Sequence, residues 1–406
     1  MAIVLITKLV MIEKHRAESV DKMLELYEKA PFPDALKGNL PSTNVLLTHW
    51  ISAAAKRDNF FHANFRILLA GCGSGAEAIA IGSLFPDAQI IGVDFSENSI
   101  QKAKKIEHES GLKNLSFFCA DLMQEKDFLD FEPFDLIICH GVADYVSDPE
   151  QLFRTFKLCL AKHGVVCMTV NSPNHPAARI RNAFQALGIA PSSFIDSSEQ
   201  RRLLQLLDKL MGNDSGIVGI GNAPKAYLDV DIFAPIAHHN CLKTWDKRAK
   251  DAGLNFAGSM DAVLGLTQVS DAELPMLFNL GKSALSFWMS ELHRRPGIQM
   301  LFTDMQIEEP DFTNLDRLFE WRPKLDNCLG LLPPLSGAPD EQKQLTIRFQ
   351  GLPDFIINTN AYDLEVLRNC SGLHSVSEII SKIPYPLNKE SLQATLFRLY
   401  HYGLLV

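Results

Sequence analysis

Three glycines, Gly71, Gly73 and Gly75, fall at alternate positions in "LLAGCGSGAEA", and two aspartates follow at Asp94 and Asp121. Glycines so spaced let the backbone turn sharply and pass close to a ligand where a Cβ would intrude. An acid about twenty residues further on is placed to accept hydrogen bonds from ribose hydroxyls. Together these residues point to a bound nucleotide. Gly71, Gly73 and Ala76 satisfy the pattern G-x-G-x-x-G/A, so a nicotinamide dinucleotide is one reading. S-adenosylmethionine is the other. It carries the same ribose, has no pyrophosphate to seat on a helix N-terminus, and brings a bulky amino-acid end that the extra Gly75 would admit. Asp94 serves either cofactor. Asp121 favours the second, because an acid or its neighbouring backbone at that point can accept from an adenine amino group.

Such residues act together only if a scaffold gathers them. "FRILLAG", "AQIIGVDF", "LSFFCAD", "FDLIICHG" and "GVVCMTVNS" read as five apolar strands. Between them lie the helical stretches "SGAEAIAIGSLF", "SENSIQKAKKIEHES", with Ser96 as N-cap, and "DPEQLFRTFKLCLAKH". Apolar strands alternating with amphipathic helices specify a parallel sheet covered on both faces, wound right-handed in both directions. Ligands in such sheets lie beyond the carboxyl ends of the strands, where the glycines, Asp94, Asp121 and His140 all fall.

The motifs "LLAGCGSG", "IIGVDFSENSIQKAKK", "CADL" and "FDLIICHGVADYVSDPEQLFRTFKLCLAKHGVVCMTV" occur in that order. In this they resemble the class I S-adenosylmethionine-dependent methyltransferases, over about residues 61–171. The resemblance implies that Gly71, Gly73 and Gly75 wrap the methionine moiety, Asp94 holds the ribose, and Asp121 with Leu122 meets the adenine. Phe95 would flank that ring, and His140 would line the methionine side. Many members carry an acid before the glycines that helps to hold the methionine ammonium; here Ala70 stands in that neighbourhood. A weaker resemblance, over about residues 20–270, is to a bacterial subgroup that includes protein-lysine methyltransferases with a regulatory domain. It implies a protein side chain such as lysine as acceptor. A small-molecule acceptor, or a regulatory protein that binds S-adenosylmethionine without turnover, stays open beside it.

Methyl transfer to an amine needs a group to take its proton, and His140, Asp144 and Tyr145, directly after the fourth strand, are the candidate catalytic residues. Asn171 and His175 follow the fifth strand. Tyr27, on a helix read over residues 17–29, could close the cofactor site as part of a lid. His238 and His239 are adjacent and point different ways, without a carboxylate or cysteine at ligand spacing, so no metal site is expected.

The fold expected is therefore α/β, a doubly wound Rossmann-like methyltransferase sheet. An N-terminal helical segment occupies residues 1–60 and the methyltransferase domain 61–310, with a helical insertion at about 175–235. A Pro- and Gly-rich linker spans 311–344, and a small winged-helix-like module 345–406. In that module Ser375 and Glu378 have capping-box spacing, and Leu392, Leu396 and Leu399 line one face of the last helix.

The chain has 406 residues, 47% of them hydrophobic, and a net charge of −9, which argues against a nucleic-acid partner. The last helix offers Lys389 and Arg398 but is otherwise mostly neutral, a poor match to a recognition helix. No apolar run is long enough for a membrane span. Eight cysteines without CxxC pairs suggest a reducing, cytoplasmic setting, with Cys72, Cys119, Cys139 and Cys167 as small hydrophobes.

Overall fold

Along the first strand, Ile67 and Leu69 belong to one buried cluster and Leu68 and Ala70 to another, so the sheet needs cover on both faces. The computed structural model describes residues 18–29, 64–188, 198–211, 228–307, 309–325, 342–347, 355–383 and 388–405. The strands are β1 (Arg66–Ala70), β2 (Gln89–Asp94), β3 (Leu115–Cys119), β4 (Phe134–His140), β5 (Leu160–Asn171), β6 (Asn255–Ser259) and β7 (Gly297–Thr303). β8 (Gln342–Ile347) and β9 (Phe355–Asn360) pair as a separate two-stranded sheet. The helices are α1 (residues 18–29), α2 (Ala76–Leu84), α3 (Glu97–Ser110), α4 (Pro149–Cys159), α5 (Pro176–Ala186) and α6 (Ser198–Met211). Then come α7 (Leu242–Asp251), α8 (Met260–Leu266), α9 (Lys282–His293), α10 (Leu315–Glu320), α11 (Ala361–Arg368), α12 (Val376–Ile380) and α13 (Lys389–His401).

Among the described residues the main sheet has the order β3-β2-β1-β4-β5-β7-β6. The first five strands are parallel, with Leu68 opposite Ile91 on one side and Ile137 on the other. The strand order reverses beside β1, which makes the ends of β1 and β4 the switch point. β7 runs antiparallel to both β5 and β6, so the doubly wound sheet is mixed.

Local chemistry sets the ends of several elements. Ser96 Oγ accepts from the Ser99 amide at 3.1 Å to cap α3, and Asp148 caps α4 with Pro149 in its first turn. Ser375 and Glu378 form a full capping box on α12. Three expectations change. Cys119 is exposed, because β3 is an edge strand and its last residues leave the core. The first part of the expected linker is folded: Phe312, Leu318 and Phe319 are buried, and Leu325 bridges Leu405. Its Pro and Gly content misled because a few large apolar residues anchor it; residues 326–341 lie outside the described part. The C-terminal unit shares a core with the sheet rather than standing apart. Leu266, Leu274 and Leu285 are in one cluster with Phe312, Leu392, Phe397 and Leu405. Arg398 is turned inward, with hydrogen bonds to the Leu266 and Val269 carbonyls (2.7 and 2.6 Å) and to Asp271 (2.8 Å). Residues 392–401 of α13 are all buried, so α13 offers no recognition face there.

Candidate active site

Beyond the carboxyl ends of β1 to β5 lies a cavity of about 530 Å³. The turn after β1 forms its floor. Both Gly71 and Cys72 amides donate to the Val93 carbonyl at 2.8 Å, which folds the turn back over β2. Gly71 has φ +75° and a Cβ there would sit 2.4 Å from Val142 of the turn after β4. Only glycine allows the two turns of the switch point to meet so closely. Gly73 also lines the cavity. Gly75 does not: it has φ +85°, and a Cβ would meet Ala103 of α3 at 2.9 Å. Gly75 stands at the N-cap of α2, just before the helix begins, and packs against α3.

Asp94 ends β2 and is 7% exposed. Its Oδ2 accepts from the Gly73 amide at 2.9 Å and its Oδ1 from the Ser96 amide at 3.0 Å, so the carboxylate is fixed at the cavity edge. Burial pushes its carboxyl up to about 6, against the pull of the Ser96 and Gly73 amides. Asp121, with Leu122 beside it, lines the cavity from the end of β3, and its Oδ1 accepts from the Met123 amide at 2.9 Å. Phe95 forms part of the wall, and the Tyr27 ring meets it edge-on at 5.6 Å. Val20, Met23 and Tyr27 of α1 cover this side. Glu28 tethers α1 to α3 through Asn98, whose side-chain amide donates to the Glu28 carbonyl at 2.6 Å.

His140 lines the opposite wall, and its Nδ1 donates to Glu77 Oε1 at 2.6 Å. Its Nε2 faces Cys167 Sγ at 3.7 Å. Burial disfavours the imidazolium, but the Glu77 carboxylate, assisted by the sulfur, raises its pKa to about 10. A histidine already protonated at neutral pH does not take up a further proton, so its geometry suits holding Glu77. Asp144 is fully buried and is not among the cavity-lining residues. Its Oδ2 accepts from the Asn171 amide at 2.7 Å, and its carbonyl accepts from the His238 amide at the same distance. Burial pushes its carboxyl well above the usual range, with Asp231 adding to the shift. The expectation of a catalytic Asp144 is corrected on that ground: it ties loops together behind the cavity. Tyr145 does line it. Its hydroxyl donates to Asp231 and accepts from Asn171 Nδ2 at 3.0 Å. Burial first, then the Asp231 carboxylate, raises the phenol well above its ordinary value, so it stays neutral.

His175 caps α5, accepting from the Ala177 amide, and stacks on His239 at 6.2 Å. Burial lowers His175 to about 4; burial with nearby Arg181, His175 and His238 lowers His239 to about 3. Neither lines the cavity. No cluster of three metal-ligating side chains occurs among the described residues.

Glu77 and Asp231 were missed by the sequence reading. Glu77 had a usable signal, as the first acid after the glycines, in the first turn of α2. Asp231 had none, because it reaches the cavity from a helical turn at Leu228–Ile232, far along the chain.

This geometry agrees with what the chain resembles. Residues 61–209 match the family model described as a methyltransferase domain. Over these residues the chain is similar to methyltransferase domains. A malonyl-[acyl-carrier protein] O-methyltransferase of Bacillus anthracis is 30% identical over 120 residues, 30% of this chain and 42% of that protein. The uncharacterized protein RP789 of Rickettsia prowazekii is 33% identical over 111 residues, 27% of this chain. The chain spans 20% of that relative's length, and less than half of either relative. PKMT2 from Rickettsia typhi, solved in complex with AdoHcy, superposes with a TM-score of 0.52 at 18% identity. That match covers 88% of this chain and 74% of PKMT2, and shows a common fold. Among the described residues no helix is long and apolar enough to cross a membrane.

Proposed function

We propose that the protein transfers the methyl group of S-adenosylmethionine to a nucleophilic acceptor, with a protein side chain as the acceptor favoured by the subgroup resemblance. The observation that carries the reading is Asp94. It is a buried carboxylate fixed by two backbone amides at the end of β2, beside a glycine turn too tight for a side chain and open to a cavity of suitable size. When bound, S-adenosylmethionine supplies a methyl group on a sulfonium, whose carbon–sulfur bond breaks as the bond to the acceptor forms. Asp94 would accept from the ribose hydroxyls, and Asp121 and Leu122, with Phe95, would hold the adenine. Glu77 supplies the negative charge that Ala70 lacks, and protonated His140 keeps it in place. Val20, Met23 and Tyr27 exclude water from the same side. The buried face of α13 supports reading the C-terminal unit as a packing element rather than a nucleic-acid reader.

Thermal shift of the full chain tests this reading. S-adenosylmethionine and S-adenosylhomocysteine raise the melting temperature, NAD and NADP do not, and Asp94→Ala loses the effect. Stabilisation by NAD alone overturns it.

A further inference from the structure

A polar seam interrupts the apolar layer on one face of the sheet. Ile138, Val165 and Leu301 belong to that layer, together with Ala78 and Ile81 of α2. On the same face the register sets His140 of β4 beside Thr169 of β5, and Thr169 beside Gln299 of β7. Cys167 lies two residues before Thr169 and so shares the face. Cys167 is 1% exposed and Gln299 5%. Burying an amide in such a layer costs free energy unless its hydrogen bonds are made. Here Gln299 Nε2 donates to Cys167 Sγ at 3.7 Å, and the same sulfur lies 3.7 Å from His140 Nε2. His140 Nδ1 in turn donates to Glu77 Oε1 at 2.6 Å. The run of contacts thus starts in the interior and ends at the cavity wall, which His140 and Glu77 both line. We propose that Cys167, backed by Gln299, is a positioning residue that holds the His140 imidazolium and, through it, the Glu77 carboxylate at the methionine end of the cavity. This rests on the methyltransferase reading above and deepens it.

The role of the sulfur follows from the donors around it. An imidazolium carries two N–H groups. Glu77 takes the one on Nδ1, and the one on Nε2 faces a sulfur rather than an apolar carbon. Gln299 presents an N–H to the same atom, so Cys167 receives from both sides. An apolar side chain at this position would leave the Nε2 proton buried without that acceptor, which disfavours the charged ring. The groups that act on the His140 charge are Glu77 from α2 and Cys167 from β5, and both favour it against burial. Gln299, from β7, bears no charge and acts through the sulfur. Without the sulfur the ring can turn or lose its proton, and in either case Glu77 loses its partner. Cys167 is therefore more than the small hydrophobe that its sequence setting suggests.

Cys167→Ala and Cys167→Ser test this, because the two differ little in size and only serine keeps an acceptor. Histidine-selective NMR of the ligand-free full chain follows the His140 titration. Alanine should lower its midpoint by about one pH unit, and serine by less. Affinity for S-adenosylhomocysteine is then measured at pH 7.5 and pH 9, each variant against the wild type at the same pH, which cancels the titration of the ligand's own amine. The loss in alanine should be about twofold greater at pH 9 than at pH 7.5, as its histidine gives up the proton first; serine should show less. An unshifted His140 midpoint in alanine, or serine no better than alanine in either measurement, as a plain apolar position would give, overturns the proposal. If the alanine variant does not fold, Cys167→Val takes its place with the same expectation. Failure of the wild-type chain to bind S-adenosylhomocysteine overturns the methyltransferase reading instead, whereas the His140 titration in the ligand-free chain decides the role of the sulfur independently.

Discussion

The two ends of the cavity are built by different means. At the nucleoside end, every key group sits within a few residues of a strand terminus, and main-chain amides hold it: Gly73 and Ser96 fix Asp94, and Met123 fixes Asp121. At the other end, beyond β4 and β5, side chains hold side chains. Tyr145, Asn171 and Asp231 come from three separate stretches of chain. Main-chain positioning follows from the fold itself, so the sheet brings these carboxylates together once the sequence supplies them. Side-chain positioning can be exchanged residue by residue without disturbing the sheet. One end is thus fixed by architecture, and the other is free to specialise.

Substitutions at each end should behave accordingly. The largest effect belongs to Gly71→Val. A β-branched residue at φ +75° and in collision with Val142 costs at least about 2 kcal/mol. S-adenosylhomocysteine should no longer raise the melting temperature of this variant, and a normal ligand-induced shift would show that the turn is not the cofactor's floor. Next comes the pH response. Asp94 is raised from 3.8 to about 6, so its carboxyl gains a proton as pH falls through that value. Ribose hydroxyls favour the ionised form, so cofactor affinity should be flat above pH 7 and fall about tenfold by pH 5. His140 remains charged throughout that window and contributes no slope. Calorimetric titration between pH 5 and 8 checks this, with Asp94→Asn expected to be flat. The smallest effect is at the other end. Tyr145→Phe removes the hydroxyl that joins Asp231 to Asn171 and should lower stability by about 1 kcal/mol in a thermal melt, with S-adenosylhomocysteine affinity unchanged. If that affinity falls as well, the division into two ends is wrong.

The same contrast explains what was legible in the sequence. Strand-terminal residues are found by finding strands, and β1 to β5 announce themselves through apolar runs between amphipathic helices. Gly71, Gly73, Asp94, Phe95, Asp121 and Leu122 could therefore be placed around a cavity from the sequence alone. Gly75 could not be separated from the other two glycines, because its difference lies in what packs against it, Ala103 and Phe117. Asp144 and Tyr145 are adjacent and looked equivalent, yet the short helical turn at Ala143–Tyr145 sends one into the interior and the other to the cavity. Asp231 depends on a long-range return of the chain, anchored by Arg181 on the Ile232 and Ala234 carbonyls at 3.0 and 2.7 Å. No local pattern encodes that contact. The antiparallel entry of β7 was hidden for a related reason, since strand direction is set by connection rather than composition.

The inward-facing Arg398 has a mechanical meaning. Its guanidinium clamps the end of α8, and α8 packs on α9 beneath the sheet, so the last helix is held by the same element that supports β6 and β7. A chain shortened before α13 would leave two backbone carbonyls without their donor and strip an apolar wall from Leu266, Leu274 and Leu277. The C-terminal unit is thus a buttress, and its removal loads the far edge of the sheet rather than releasing a passenger.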